Sequence, residues 1–105
     1  MSGTELQVIA RHTIKEGEED AVLTALDRLI TAARTEPGTL AFEAYHSREH
    51  AGSYVLLERY TSRQAFEEHR ATPHFRELML GEIAPRLQAR PVEAYDVPAA
   101  GAQYR

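Results

Sequence analysis

The spacing of the apolar residues along this chain alternates between the two-residue period of a strand and the longer period of a helix, and this order limits the folds that the chain can adopt. Leu6 to Ile14 place apolar side chains at every second position, which predicts a β-strand. Val22 to Ala33 then show the spacing of an amphipathic helix, which Pro37-Gly38 ends. Segments 40–46 and 54–60 predict two strands whose short polar connection is typical of an antiparallel hairpin.

The second half of the chain carries two helix-start signals and one more strand. Ser62, or Thr61 with Gln64 three residues on, predicts the beginning of a short helix, because serine and threonine cap helix N-termini. Thr72-Pro73 predicts a second beginning, since proline suits the first helical position, and this helix runs to Pro85. Residues 91–97 predict an edge strand. We therefore expect one domain over 1–105, with a core at about 5–97 and a C-terminal tail at 98–105.

The resulting order, β-α-β-β-α-β, predicts an α+β protein with the ferredoxin-like split βαβ fold and a four-stranded antiparallel sheet. A length of 105 residues fits a single domain. Two helices cover only one face of such a sheet, and the strands are apolar on both faces. We therefore expect the second face to be buried by another copy of the chain, which gives a homodimer and a dimeric α+β barrel.

Composition excludes several classes of protein. The chain has no cysteine, so it can form neither disulfides nor a thiolate nucleophile. Its net charge of −4, with scattered basic residues, argues against nucleic-acid binding.

No segment is apolar enough to span a membrane, and residues 1–8 do not resemble a signal peptide, which predicts a cytoplasmic protein. The glycines form no phosphate-binding motif, and we expect no cofactor. His46 and His50 read as exposed turn residues, so no metal is expected either.

One stretch concentrates residues suited to acid–base chemistry. Glu58 and Tyr60 share an otherwise apolar strand face, where an unpaired carboxylate would be costly. His69 shares a helix face with Phe66 and is therefore expected to point toward the sheet, and His74 begins the next helix after a Thr-Pro corner. An imidazole in this setting can act as a base near neutral pH. The alternative is that each of these side chains has only a structural role, as a helix-end residue or the partner of an arginine.

The chain resembles the antibiotic biosynthesis monooxygenase domain family over nearly its whole length. The resemblance rests on four segments: Lys15-Glu16-Gly17, Glu36-Pro37-Gly38-Thr39-Leu40, Glu58-x-Tyr60 and Glu68-His69-x-x-Thr72-Pro73-His74-Phe75. It implies a dimeric α+β barrel with the activity of a quinol- or anthrone-type monooxygenase, an autoinducer-degrading isomerase or a haem-degrading enzyme. The haem-degrading branch fits poorly, because its Asn, Trp and His positions fall on Ala10, Tyr60 and Met79.

The expected activity is that of a cofactor-free monooxygenase acting on a quinol- or anthrone-type aromatic and O2. His69 or His74 would be the base, with Glu58 orienting the imidazole and Tyr60 donating a hydrogen bond to the developing oxyanion. The expected substrate contacts are Tyr45, Tyr54, Phe42, Phe66 and Phe75, with Arg11 neutralising an anionic substrate. Two alternatives are an isomerase or cyclase that works through an enediol and a non-catalytic dimeric ligand-binding module.

Overall fold

A computed structural model describes residues 3–99 of the chain. Its elements, in chain order, are β1 (Thr4–Ile14), α1 (Glu19–Ala33), β2 (Thr39–His46), β3 (Ser53–Tyr60), α2 (Arg63–Arg70), a π-type helix α3 (Phe75–Ile83), a 3₁₀ turn (Ala84–Arg86), β4 (Leu87–Ala89) and β5 (Val92–Pro98). The predicted α+β, ferredoxin-like order is therefore confirmed. No helix in the described part of the chain combines the length and apolarity needed to cross a bilayer.

The sheet is antiparallel, with β1 at its centre. Strand β3 pairs with one side of β1 and β2 pairs with the outer side of β3. On the other side of β1 lie both β4 and β5. Strand β5 corresponds to the predicted strand 91–97, whereas β4 precedes it and was not predicted, so the sheet of the described residues has five strands rather than the expected four. Sequence periodicity missed β4 because three residues are too few to show an alternation. Of the predicted tail, the described residues include only Pro98, which ends β5, and Ala99, which donates a backbone hydrogen bond to Gly3.

The helices pack on one face of the sheet, and the alternation in β1 selects that face. The even-numbered residues of β1 from Leu6 to Ile14 are all buried beneath the helices. The predicted apolar stripe of α1, which includes Val22 and Leu29, is buried against them. Burying one such side chain contributes about 1.5–3 kcal/mol. The layer between the helices and the sheet is the main hydrophobic core. The candidate site described below lies in the same layer.

The second helical region begins where the sequence predicts. The Thr72 hydroxyl accepts a hydrogen bond from the Phe75 backbone N–H (3.2 Å), as an N-cap does, and Pro73 follows it as the first helical residue. Beyond this turn the backbone adopts π-type hydrogen bonding, which apolar spacing does not predict. π-type segments occur frequently at functional sites.

The opposite face of the sheet remains open in a single chain. Tyr45 and Tyr95 are half exposed there, and Leu57 lies between their strands. Arg59 is buried against this face by hydrogen bonds to Gln7 and an ion pair with Glu5. An open apolar face agrees with the predicted homodimer, which stays a prediction because only one chain is described.

Candidate functional site

A cavity of about 120 Å³ lies between the helix-facing side of the sheet and helices α1, α2 and α3. Its walls are mainly apolar: they include Val8, Leu29, Phe42, Leu56, Phe66, Phe75 and Met79. Three buried ionisable side chains, His12, Glu58 and His69, also line it, and Arg70 and Arg90 stand at its exposed side. A small apolar cavity with a few converging polar groups is typical of a ligand site.

His69 lies in the last turn of α2 and is 2% exposed. Its Nδ1 is 2.9 Å from Oε2 of Glu36 and 3.0 Å from Oε1. A carboxylate only accepts hydrogen bonds, so Nδ1 carries the proton and Nε2 keeps its lone pair. Within the described residues Nε2 has no hydrogen-bond partner, which leaves it available to a molecule in the cavity. Burial lowers the pKa of His69, although the Glu36 carboxylate opposes this shift, and the ring is neutral near pH 7.

Glu36 is the residue that orients this imidazole, and it lies in the turn between α1 and β2. Its carboxylate accepts three side-chain hydrogen bonds, from His69, from Nε2 of His74 (2.5 Å) and from the Thr39 hydroxyl (3.0 Å). Burial opposes ionisation of Glu36, but the bonds from the two histidines outweigh it and lower its pKa. The carboxylate is therefore charged and fixed in place.

Gly38 allows the turn that carries Glu36 to reach helix α2. A Cβ atom at this position would lie only 2.6 Å from the Cβ of Ala65, so any larger residue would push the turn and the helix apart. The glycine of the Glu-Pro-Gly segment is thus required by a close approach rather than by an unusual backbone angle. Its effect is to hold Glu36 within hydrogen-bonding distance of His69.

Glu58 does not orient His69, and that part of the prediction is wrong. The carboxylate of Glu58 instead accepts a hydrogen bond from the Tyr60 hydroxyl at 2.5 Å, two residues along the same strand face. Burial raises the pKa of Glu58 to about 7, the bond from Tyr60 opposes the rise, and the charge of Glu36 adds to it. The cavity therefore contains a carboxyl group that can gain or lose a proton near neutral pH.

Tyr60 is fully buried and does not line the cavity. Its hydroxyl is committed to Glu58, and burial beside that carboxyl raises the pKa of Tyr60 above its ordinary value. The predicted role of Tyr60 as a direct oxyanion donor is therefore not supported by this arrangement. Tyr60 acts on Glu58, which lines the cavity.

The site includes His12, which the sequence analysis did not single out. Its Nδ1 is 2.8 Å from the Tyr54 hydroxyl, and burial, with a smaller contribution from Arg90, lowers its pKa to about 4. His12 is thus neutral at physiological pH. The signal was present, because His12 occupies an inward position in the alternation of β1. Tyr54, predicted to contact substrate, is buried behind His12 and does not line the cavity.

The structure places two predicted substrate contacts far from the cavity. Tyr45 and Arg11 both lie opposite Val55 in the sheet register, so they point to the open face. Tyr45 donates a hydrogen bond to Glu43, and Arg11 forms an ion pair with Glu93 at 2.8 Å. Their assignment to this site is therefore wrong.

The remaining predicted residues are placed as follows. Phe66 and Phe75 line the cavity, and their contact with substrate stays a prediction. His74 lies behind His69, on the far side of Glu36, rather than in the cavity wall. His46 and His50 are exposed, as expected for turn residues.

The structure is a small α+β domain with buried acid–base groups around a cavity, and comparison with known proteins identifies its family. The family model described as antibiotic biosynthesis monooxygenase matches residues 6–79. The chain therefore belongs to the antibiotic biosynthesis monooxygenase family.

Individual relatives agree with this assignment. The chain is 41% identical over 68 residues to a Mycobacterium tuberculosis protein named "Putative monooxygenase Rv0793", a match covering 65% of this chain and 66% of that protein. The solved structure of Rv0793 is similar with a TM-score of 0.77 and 33% identity, covering 89% of this chain and 92% of that one. A crystal structure of an antibiotic biosynthesis monooxygenase is similar with a TM-score of 0.79 and 30% identity, covering 90% and 97%.

A Synechocystis protein, sll1783, is 28% identical over 80 residues. This match covers 76% of the chain but only 53% of the cyanobacterial protein. The chain thus spans about two thirds and about half of the length of these two curated relatives.

Proposed function

We propose that this protein is a cofactor-independent monooxygenase that oxidises an electron-rich hydroxylated aromatic, of the quinol type, with O2. The observation that carries the proposal is the Glu36–His69 hydrogen bond, which leaves the Nε2 lone pair of a buried imidazole at an apolar cavity. Membership in a family of monooxygenases supports the same reaction class.

Proton removal is the step that this arrangement favours. The substrate hydroxyl gives its proton to Nε2 of His69, and the charged Glu36 stabilises the imidazolium that forms. His74 shares the same carboxylate and its side chain is 24% exposed, so it connects the buried dyad to solvent. A well-placed general base contributes about 10²–10⁴ in rate.

The aromatic anion then reacts with O2, which is the oxidant. Electron transfer from the anion to O2 and recombination form a carbon–oxygen bond and a peroxide at the ring. Loss of water from the peroxide leaves one oxygen atom on the product, so that a hydroquinone and O2 give a hydroxyquinone and water. Glu58, with its pKa of about 7, is suited to donate the proton that the departing oxygen needs.

The size of the cavity favours a single aromatic ring over an anthrone. A cavity of about 150 Å³ in another protein binds benzene, and the volume here is about 120 Å³. A three-ring substrate would require the cavity to widen on the side of Arg70 and Arg90.

An isomerase that works through an enediol is the second candidate. It is favoured by the presence of a base, His69, and a protonatable carboxyl, Glu58, on one cavity, since a proton shift requires both. Such a reaction consumes no O2. A protein that only binds a ligand would show neither oxygen uptake nor isomerisation.

An oxygen electrode with a panel of substituted hydroquinones tests the proposal. We expect oxygen uptake with the wild-type protein, a loss of at least about tenfold in His69→Ala, and no change in His50→Ala, whose side chain lies in an exposed turn. Full activity in a folded His69→Ala variant would remove this base from the mechanism. Turnover of an α-hydroxyketone without oxygen uptake would support the isomerase, and binding without turnover would support the ligand-binding module.

A further inference from the structure

The cluster of Glu36, His69 and His74 also presents the donor set of a transition-metal site. Nδ1 of His69, Nε2 of His74 and a carboxylate oxygen of Glu36 all lie within 4.8 Å of one another. Two imidazole nitrogens and one carboxylate oxygen are ligands that zinc and similar divalent ions take. Sequence analysis gave no sign of this set, because Glu36 precedes His69 by 33 residues.

The carboxylate of Glu36 already faces both imidazoles. Oε2 is the oxygen close to both imidazoles, at 2.9 Å from His69 and 2.5 Å from His74. The other oxygen, Oε1, accepts the hydrogen bond from Thr39, which is the kind of outer contact that fixes a ligating carboxylate.

The carboxylate of Glu36 pairs with two imidazoles and not with a stronger base in the described residues. The Glu36 side chain is only 12% exposed, and in the described part of the chain it forms no ion pair with a lysine or arginine. Its hydrogen-bond donors are the two imidazoles and the Thr39 hydroxyl. A cation bound among these three side chains would therefore meet a carboxylate that is already ionised and positioned.

We propose that Glu36, His69 and His74 bind a divalent ion of the zinc class in place of the two imidazole protons that lie between them. Tetrahedral bonds of about 2.0–2.2 Å place neighbouring ligand atoms roughly 3.3–3.6 Å apart, so Oε2 of Glu36 and the two imidazole nitrogens must separate slightly to admit the ion, which the partly exposed His74 side chain permits. Three protein ligands leave a fourth position for water on the exposed side of His74.

Metal binding would also switch off the base in the cavity. An ion on Nδ1 forces the remaining imidazole proton of His69 onto Nε2, so this nitrogen donates a hydrogen bond and no longer accepts a proton. This second part rests on the proposed function of His69. The binding part does not, because it concerns the protein without substrate.

Calorimetric titration of the chelator-treated protein with Zn²⁺, near neutral pH and without substrate, tests the site. We expect one ion per chain, binding weakened by roughly tenfold or more in His74→Ala and in Glu36→Ala, and unchanged binding in His50→Ala. Circular dichroism establishes that each variant is folded, and His74→Gln is the second variant if His74→Ala does not fold. Absence of saturable binding, or equal weakening in His50→Ala, would overturn the site.

Imidazole ¹⁵N NMR tests the effect on the base. We expect Zn²⁺ to convert His69 from the Nδ1–H to the Nε2–H tautomer in the wild-type protein and not in His74→Ala. Zn²⁺ should also suppress oxygen uptake by the wild-type protein. Zinc binding that leaves the His69 tautomer unchanged would overturn the switch, whatever the substrate of the enzyme proves to be.

Discussion

Replacing Glu36 with glutamine removes the charge behind the proposed base while keeping the size of the side chain. Only one of the two terminal atoms of glutamine accepts hydrogen bonds, so the bonds from His69, His74 and Thr39 cannot all survive. A hydrogen bond to a charged group contributes about 1.5–3 kcal/mol, and a loss of about 1.4 kcal/mol slows a reaction tenfold. We therefore expect kcat to fall by roughly 10- to 150-fold.

The assay is steady-state oxygen uptake with the best hydroquinone from the panel, together with thermal unfolding of each variant. Glu43→Gln is the matched control, because Glu43 is an exposed glutamate on the neighbouring strand β2. Unchanged kcat in Glu36→Gln, or a loss fully explained by its unfolded fraction, would refute the assignment of Glu36 as the orienting residue.

Two further predictions concern folding and protonation. Gly38→Ala should destabilise the protein by about 1–3 kcal/mol in urea unfolding, because the new Cβ meets that of Ala65 at 2.6 Å. Adding Ala65→Gly should restore only part of this loss, because glycine within helix α2 itself costs about 0.5–1 kcal/mol. An unaffected Gly38→Ala protein would contradict the close approach. Burial raises the pKa of Glu58 from its ordinary 4.5 to about 7, so the folded protein holds more protons than the unfolded chain between these two pH values. The contribution of Glu58 to the free energy of unfolding therefore decreases as the pH rises from 4.5 to 7. The charged and titratable groups that act on Glu58 are Tyr60 and Glu36. Glu58→Gln should remove this part of the pH dependence of the unfolding free energy. Identical pH profiles for the wild-type protein and the variant would show that Glu58 ionises normally.

The parts of the fold that depend on local spacing could be predicted from the sequence. The alternation in β1 identifies its buried face, and the three-residue spacing of Phe66 and His69 places both rings on one side of α2, where they stack. The Thr72 cap is likewise readable, because capping involves residues within one turn. The π-type backbone of α3 has no comparable sequence signal.

The pairing of Glu36 with His69 could not be predicted in the same way. Glu36 belongs to a turn, and its contact with His69 depends on how that turn packs on α2. Glu58 was the obvious alternative, since its strand runs beneath the helix, yet Tyr60 is nearer along the same strand face and takes its carboxylate. The sequence indicates which side chains point inward, and tertiary packing decides which of them meet.

The described residues that line the cavity lie on the helix side of the sheet. The face that carries Tyr45 and Tyr95 is separated from them by the thickness of the strands. If two copies join through that face, we expect each copy to keep its own complete cavity. Mixed pairs of one intact chain and one His69→Ala chain should then retain half of the turnover of the intact pair, without complementation between subunits.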